Sequence, residues 1–289
     1  MKKITIQFAM AFCAANAFAQ VFAGGIEIPP APEIIPGWYF GLGASWNTLI
    51  KRDNVTVTWT QLNTFPPNTV FTGDVFNEFF NFAAPIAQLG YWIPISDENW
   101  LFGIQAAYKY LGMTSQGNGT FLLNISSINV LSTYITALNK VEHEVIGLVY
   151  FGKHWGHNLG YFGLGPGFVS VNSIIRNPTV ISNSVTVAQS AVQNQNVIVA
   201  QTVTANLDLS SSKPILGAAA QLGYSYYFTP TWFFNVNYTY FATGYKTFTN
   251  SITQSLLNSI NNTVSSNLIF NRKINVRLQE FMISVNKVL

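Results

Sequence analysis

Residues 214–242 read PILGAAAQLGYSYYF, then TPT, then WFFNVNYTYFA, and this stretch decides the fold. In the first arm Leu216, Ala218, Ala220, Leu222, Tyr224, Tyr226 and Phe228 share one parity, while Gly217, Ala219, Gln221, Gly223 and Ser225 share the other. The second arm sets Trp232, Phe234, Val236, Tyr238 and Tyr240 against Asn235, Asn237 and Thr239. Successive side chains of a strand point oppositely, so period-two alternation describes a strand with two unlike faces. Here the apolar face is large and aromatic and the other is small and polar. That is the reverse of a sheet packed on a soluble core, and it suits an outer wall in lipid around a polar lumen.

Composition agrees. The 289 residues are 49% hydrophobic and 15% aromatic, with only 9% charged, against about 25% charged in soluble domains. A membrane helix needs roughly 18 consecutive apolar residues. Outside the first two dozen residues Gly, Gln, Asn and Thr interrupt every apolar stretch. A lipid-exposed chain without helices must close its sheet into a barrel, because hydrocarbon cannot satisfy an open edge.

The amino terminus reads as an export signal over residues 1–19. Lys2 and Lys3 precede an apolar segment ending Ala17-Phe18-Ala19, with a second cleavage position after Ala23. The one cysteine, Cys13, lies inside it, so a processed chain would have no disulfide, thiolate nucleophile or cysteine metal site. Processing would also remove two lysines from a formal charge of +3. The near-neutral remainder offers no footprint for nucleic acid. Residues 20–36, GGIEIPPAPEIIP at their core, are too proline-dense for a helix or central strand and read as a periplasmic lead-in.

From residue 37 to 289 the expectation is one all-β domain, an eight-stranded antiparallel up-and-down transmembrane barrel. The strand segments are 37–49, 82–94, 100–111, 141–152, 159–171, 214–228, 232–242 and 273–289. In the first, Trp38, Phe40, Leu42 and Trp46 point out and Tyr39, Gly41, Gly43 and Ser45 point in. In the third, Trp100, Phe102, Ile104, Tyr108 and Tyr110 point out. Connections alternate between a few residues and several tens of residues, the pattern of short periplasmic turns and four long extracellular loops. Ala87-Gln88-Leu89-Gly90-Tyr91 and Ala220-Gln221-Leu222-Gly223-Tyr224 echo one another, each before a short turn and a Trp-initiated strand.

Parity sends Gln88, Gln105, Lys109, Gln221, Asn235, Asn237, Thr239 and Glu280 into the lumen. Eight strands leave an interior that side chains just fill, so Lys109 and Glu280 have to pair or join a network. Such a network plugs the lumen or, in the functional alternative, gates an ion path. Trp38, Trp92, Trp100, Trp155 and Trp232 lie at strand ends beside the short turns and read as an aromatic girdle at the membrane boundary. His154 and His157 flank Trp155, but the loop supplies no third ligand for a metal. His143 sits between Glu142 and Glu144. No nucleophile, base and orienter can be assembled, so no catalytic, cofactor or metal residue is assigned.

The loops are rich in Asn, Ser, Thr and Gln. In the third, VTV, VIV and TVT suggest that its flanking strands continue above the membrane. In the fourth, Ile252, Leu256, Leu257 and Ile260 have near-helical spacing, compatible with a short amphipathic element. The first holds FPPNTVF and a phenylalanine cluster from Phe76 to Phe82.

The alternating aromatic strands, and the QLGY-x-Tyr-x-Phe pattern running into Thr229-Pro230, resemble the small outer-membrane β-barrel superfamily. That superfamily includes the OmpA-type transmembrane domain and opacity-type surface antigens. The resemblance covers residues 37–289 and implies an eight-stranded barrel with a mostly structural, adhesive or surface-antigen role; the expectation is a monomer without a cofactor. Two departures stand out: no peptidoglycan-binding domain follows the last strand, and the final residue is Leu289 rather than Phe. Outer-membrane lipid A deacylases use an adjacent His–Ser pair, whereas Glu144, Trp155 and Asn158 follow the histidines here. The expected partners are outer-membrane lipid and lipopolysaccharide, with host-surface molecules reached through the loops. The functional expectation is a non-enzymatic surface antigen with adhesin-like loops. The alternatives are a narrow channel or carrier for small or hydrophobic solutes, and a lipid-modifying enzyme using His143 or His154.

Overall fold

Two-faced alternation runs much further along this chain than a bilayer requires. The computed structural model describes residues 35–61, 69–95, 99–126, 129–187, 196–204, 208–257 and 263–289. The export signal and nearly all of the proline-rich lead-in lie outside them. The strands are β1 (Gly37–Gln61), β2 (Thr69–Pro94), β3 (Trp100–Ser126), β4 (Asn129–Trp155) and β5 (Asn158–Val187). They continue with β6 (Asn196–Thr204), β7 (Asp208–Tyr227), β8 (Trp232–Thr243), β9 (Lys246–Leu257) and β10 (Thr263–Val288). Each pairs antiparallel with its neighbour, and β1 closes on β10 from Tyr39↔Val288 to Gln61↔Ser266. β6 prolongs the line of β7 along β5, and β9 prolongs β8 along β10. The ring therefore has eight staves, in the order β1-β2-β3-β4-β5-β7-β8-β10.

The short turns use the residues such turns demand. Gly156, between β4 and β5, has φ +58°, and Asn99, before β3, has φ +67°, a region Gly and Asn tolerate best. Before β8, the Trp232 amide donates to Thr229 Oγ1 at 3.0 Å. The long connections differ from simple loops, being paired strand for most of their length. The near-helical spacing in the fourth is not a helix. Residues 246–257 form β9, which pairs with β10 from Lys246↔Ile274 to Leu257↔Thr263; Ile260 lies outside the described residues. Exposed Thr247, Thr249 and Ser251 alternate with buried Phe248 and Asn250, which gives this segment a strand's two faces, and cross-strand pairing outweighs the i, i+4 apolar coincidence.

The two faces exchange character along the strands. Near the short turns the outside is apolar: Trp38, Phe40, Leu42 and Trp46 on β1, Phe102, Ile104, Tyr108 and Tyr110 on β3, Phe162, Leu164 and Phe168 on β5. Further along, Val55, Val57, Val171, Ile175, Phe248, Phe270 and Ile274 turn inward and are buried. The outer face there is polar, with exposed cross-strand pairs such as Thr249 Oγ1 to Asn271 Oδ1 at 2.8 Å and Thr136 Oγ1 to Asn118 Oδ1 at 3.1 Å. One set of staves thus makes a lipid-clad barrel below and a polar-coated, apolar-cored tower above.

The tower is not a closed ring. Pairing of β2 with β3 stops at Ile86↔Lys109, and that of β7 with β8 stops at Gly217↔Thr243. Pro85 has no N–H to give β3. On the facing strand, Gly112 at φ +57° marks the register break between Tyr110 and Met113. Gly244 and Tyr245 interrupt the other side, between β8 and β9. Above these points stand two opposed sheets, β9-β10-β1-β2 and β3-β4-β5-β7 with β6, separated by two seams.

Candidate functional site

Among the described residues the lumen gathers the buried polar and ionic side chains, and it is lined in layers. At the turn end lie Tyr39, Trp92, Tyr150, Tyr161, Tyr227 and Phe233, all buried. Trp92 stacks on Tyr150 with centroids 5.6 Å apart, Tyr150 meets Tyr161 edge-on at 4.9 Å, and Tyr227 stacks on Phe233 at 4.7 Å. Tyr39 and Tyr161 lie over Gly90 and Gly223, the residues directly opposite them; a Cβ at either glycine would run into the ring. Trp92 is therefore not part of the girdle. It is 3% exposed, because it shares the parity of Gln88 and Gly90, and parity outranks position near a turn. Trp38 and Trp155 are half exposed and Trp232 is exposed. Trp100 stacks on Phe151 at 4.8 Å, with Lys153 Nζ 5.0 Å from its ring centre.

A polar network covers the aromatic floor. Tyr39 donates to Gln105 Oε1 at 3.1 Å, Gln105 donates to Gln88 Oε1 at 2.6 Å, and Gln88 donates to Ser284 Oγ at 2.9 Å and to Asn286. Tyr150 reaches both Gln105 and Gln221, and Gln221 donates to Thr239 Oγ1 at 2.9 Å. Tyr161 donates to Asn235 Oδ1 at 2.8 Å, and Asn237 Nδ2 donates to Tyr161 at 3.4 Å. Above it Lys109 pairs with Glu280 and, at 3.2 Å, with Glu144. Parity names Lys109 and Glu280 as partners; Glu144 is the member it missed, and the β3–β4 register, Lys109↔Glu144, would have supplied it.

Next comes an apolar layer of Leu49, Leu111, Val141, Phe241 and Leu278, and above it a second ionic layer that ties the two sheets together. Arg272 of β10 pairs with Asp53 of β1 and donates across the tower to Ser173 Oγ of β5 at 2.8 Å and Asn139 Oδ1 of β4 at 2.9 Å. Asn139 in turn donates to Asp53 at 3.1 Å. Lys51 pairs with Glu78 at 2.5 Å and donates to Ser115 Oγ of β3 at 2.8 Å. Burial pushes the Lys51 ammonium below the usual lysine range, against the opposing pull of the hydrogen bond to Glu78. In the sequence Asp53 reads as an isolated acid, because Arg272 is far from it in the chain and only strand register joins them.

The histidines fall in two places: His143 on the β4 wall, and His154 and His157 in one turn region, close enough to feel each other's charge. His143 faces outward, its Nδ1 2.9 Å from Tyr108 Oη. His157 Nδ1 lies 2.7 Å from the Tyr227 carbonyl in the turn region. Burial depresses the pKa of His154 there. Among the described residues no three His, Cys, Asp or Glu side chains converge on a metal position.

A closed ring with an apolar belt is the architecture of a bacterial outer-membrane barrel. No protein-family model matches the sequence, and no curated protein matches it. Among solved structures the chain is similar to the attachment invasion locus protein of Yersinia pestis, at 11% identity and TM-score 0.25, over 81% of this chain and 98% of that one. It is similar to Neisserial surface protein A at 11% identity and TM-score 0.29, over 84% and 97%. It is also similar to the outer membrane protein OprG from Pseudomonas aeruginosa, at 10% identity and TM-score 0.31, over 88% and 98%. At such scores the likeness adds no weight to the strand pairings above.

Proposed function

We propose that this protein is a non-conducting outer-membrane barrel that raises a rigid tower from the cell surface and presents the tips of its strand hairpins to external partners, as a surface antigen or adhesin does. The observation that carries the reading is the succession of packed layers along the axis. Aromatic floor, amide network, Lys109–Glu144–Glu280 cluster, apolar layer and Arg272–Asp53 cluster each place buried side chains inside the ring. A solute path would have to break several of them at once. Upper strands spent on a dry core and a polar coat make a scaffold rather than a vestibule. Planar-bilayer recording tests this directly: the wild type gives no discrete current steps, and stable, reproducible steps would reject the reading.

The β2–β3 seam favours a second reading, a carrier for hydrophobic solutes entering from the side. Phe79, Phe80, Phe82, Tyr110 and Met113 lie along it. Behind it, however, Leu49, Ala84, Leu111 and Val141 are already packed. Proteoliposome uptake of a labelled hydrophobic solute at the rate of protein-free vesicles removes this reading; uptake that a cross-link between β2 and β3 abolishes would establish it.

A further inference from the structure

Where the apolar belt gives way to the polar wall, one side of the molecule collects positive charge. Arg52 on β1 and Lys273 on β10 are exposed, and Arg277 on β10 is half-buried. The register sets Arg52 opposite Asn275, so Arg52 is the diagonal neighbour of both Lys273 and Arg277, about 7–8 Å apart at the backbone. Arg277 lies opposite Ile50 and Ala242, and Lys273 opposite Asn54 and Thr247, which fixes all three on the outer face.

Among the described residues no hydrogen bond or ion pair answers this charge. The acids of β1 and β10 are Asp53 and Glu280, both turned inward and committed to Arg272 and Lys109, and β8 and β9 contain no acid. The buried cations are all paired: Lys51 with Glu78, Lys109 with two glutamates, Arg272 with Asp53. Arg52, Lys273 and Arg277 have no hydrogen-bonded or ionic partner among the described residues. Like charges adjacent on one sheet face repel and cost stability, so the counter-charge has to come from outside.

Height identifies its source. Below the patch stand Trp46 and Tyr240, exposed on the belt, and Tyr245 is exposed beside it; exposed Thr247 is level with Lys273, and exposed Thr249 stands above it. The cations therefore sit at the level of lipid head groups. Two of them are guanidiniums, whose planar forks match phosphate in bidentate fashion.

We propose that Arg52, Lys273 and Arg277 form a binding site for the phosphate groups of an anionic glycolipid of the outer leaflet. The proposal rests on the membrane reading and goes beyond it, by giving the wall a defined lipid face. Full-length protein refolded in neutral detergent, with folding checked by heat-modifiable gel mobility, is titrated with bis-phosphorylated lipid A and with the same lipid stripped of phosphate. The wild type binds the phosphorylated form, and the Arg52→Gln, Lys273→Gln, Arg277→Gln triple variant binds it at least about tenfold more weakly. A Lys153→Gln, Lys287→Gln control, altering cations that lie over Trp100 and Trp232, binds like the wild type. Equal affinity of the triple variant and the wild type overturns the site. So does equal affinity for the dephosphorylated lipid, or displacement by inorganic phosphate at matched concentration. A wild type with no heat-modifiable mobility brings down the membrane reading and the site together, whereas a folded wild type with an unaffected triple variant brings down the site alone.

Discussion

Arg272 carries a full charge into a position with no exposure at all, and its fork is satisfied by Asp53, Asn139 and Ser173 together. Removing one member of such a pair strands the other in a dry interior. Arg272→Met is expected to cost about 3–5 kcal/mol, read as a lower urea midpoint for loss of heat-modifiable mobility. Arg272→Met with Asp53→Leu should recover most of that loss, and a double variant as weak as the single one would refute the account. Lys51 gives a pH signature. Its folded pKa lies below the unfolded value near 10.5, so the folded state holds its proton less tightly. The penalty is complete at pH values below the folded pKa and is lifted as pH rises through it toward 10.5. The stability gap between the wild type and Lys51→Met is therefore expected to move in favour of the wild type across that alkaline window, as measured by unfolding midpoints at successive pH values. Trp92 and Trp38 make a third contrast. Trp92→Ala empties the floor and should cost about 3–5 kcal/mol, whereas Trp38→Ala, on a half-exposed ring, should cost far less in the same detergent assay.

A single strand of this protein performs two jobs. On β1, Leu42 faces outward in the belt, while Val57 faces inward in the tower. Leu42→Arg places a charge on the lipid face, at a cost of roughly 2–4 kcal/mol near the midplane. It should slow assembly into liposomes, monitored by the gel shift over time. Val57→Asn should leave insertion rates unchanged and loosen only the upper sheets, seen as protease cleavage above the belt. Element by element, the lower barrel was legible because lipid outside and polar groups inside impose one sign of alternation throughout. The repeated AQLGY stretches also have a shared cause, since Gln88 and Gln221 both enter the amide network while Gly90 and Gly223 both receive a tyrosine ring. The upper strands were legible only in part. VTV and TVT betray strands, but the exchange of faces erases the belt's signature, and Thr-, Asn- and Ser-rich outer positions read as loop. Trp92 was misplaced for a related reason, an aromatic beside a turn being judged by height when its parity already set its direction.

At the scale of the molecule, length is the defining quantity. β1 has 25 residues and β5 has 30; at about 3.3 Å per residue and a tilt near 40°, β1 alone rises roughly 60 Å. An apolar band is only about 25 Å tall, so a tower of some 35 Å should stand clear of the bilayer, a height that cryo-electron microscopy of nanodiscs can read. A protrusion under about 15 Å would contradict the extended strands. The seams give that tower a grain. Across them no main-chain ladder links one leaf to the other over β2–β3 or β7–β9 among the described residues, and cohesion there falls to the guanidinium of Arg272, the ammonium groups of Lys51 and of Lys213, which donates to the Thr247 carbonyl at 3.1 Å, and the oily packing around them. A pull along the strands is resisted by every amide in shear, whereas a prying load across the leaves meets only side chains. The structure is thus stiff to the drag of a tethered particle and weak to a wedge.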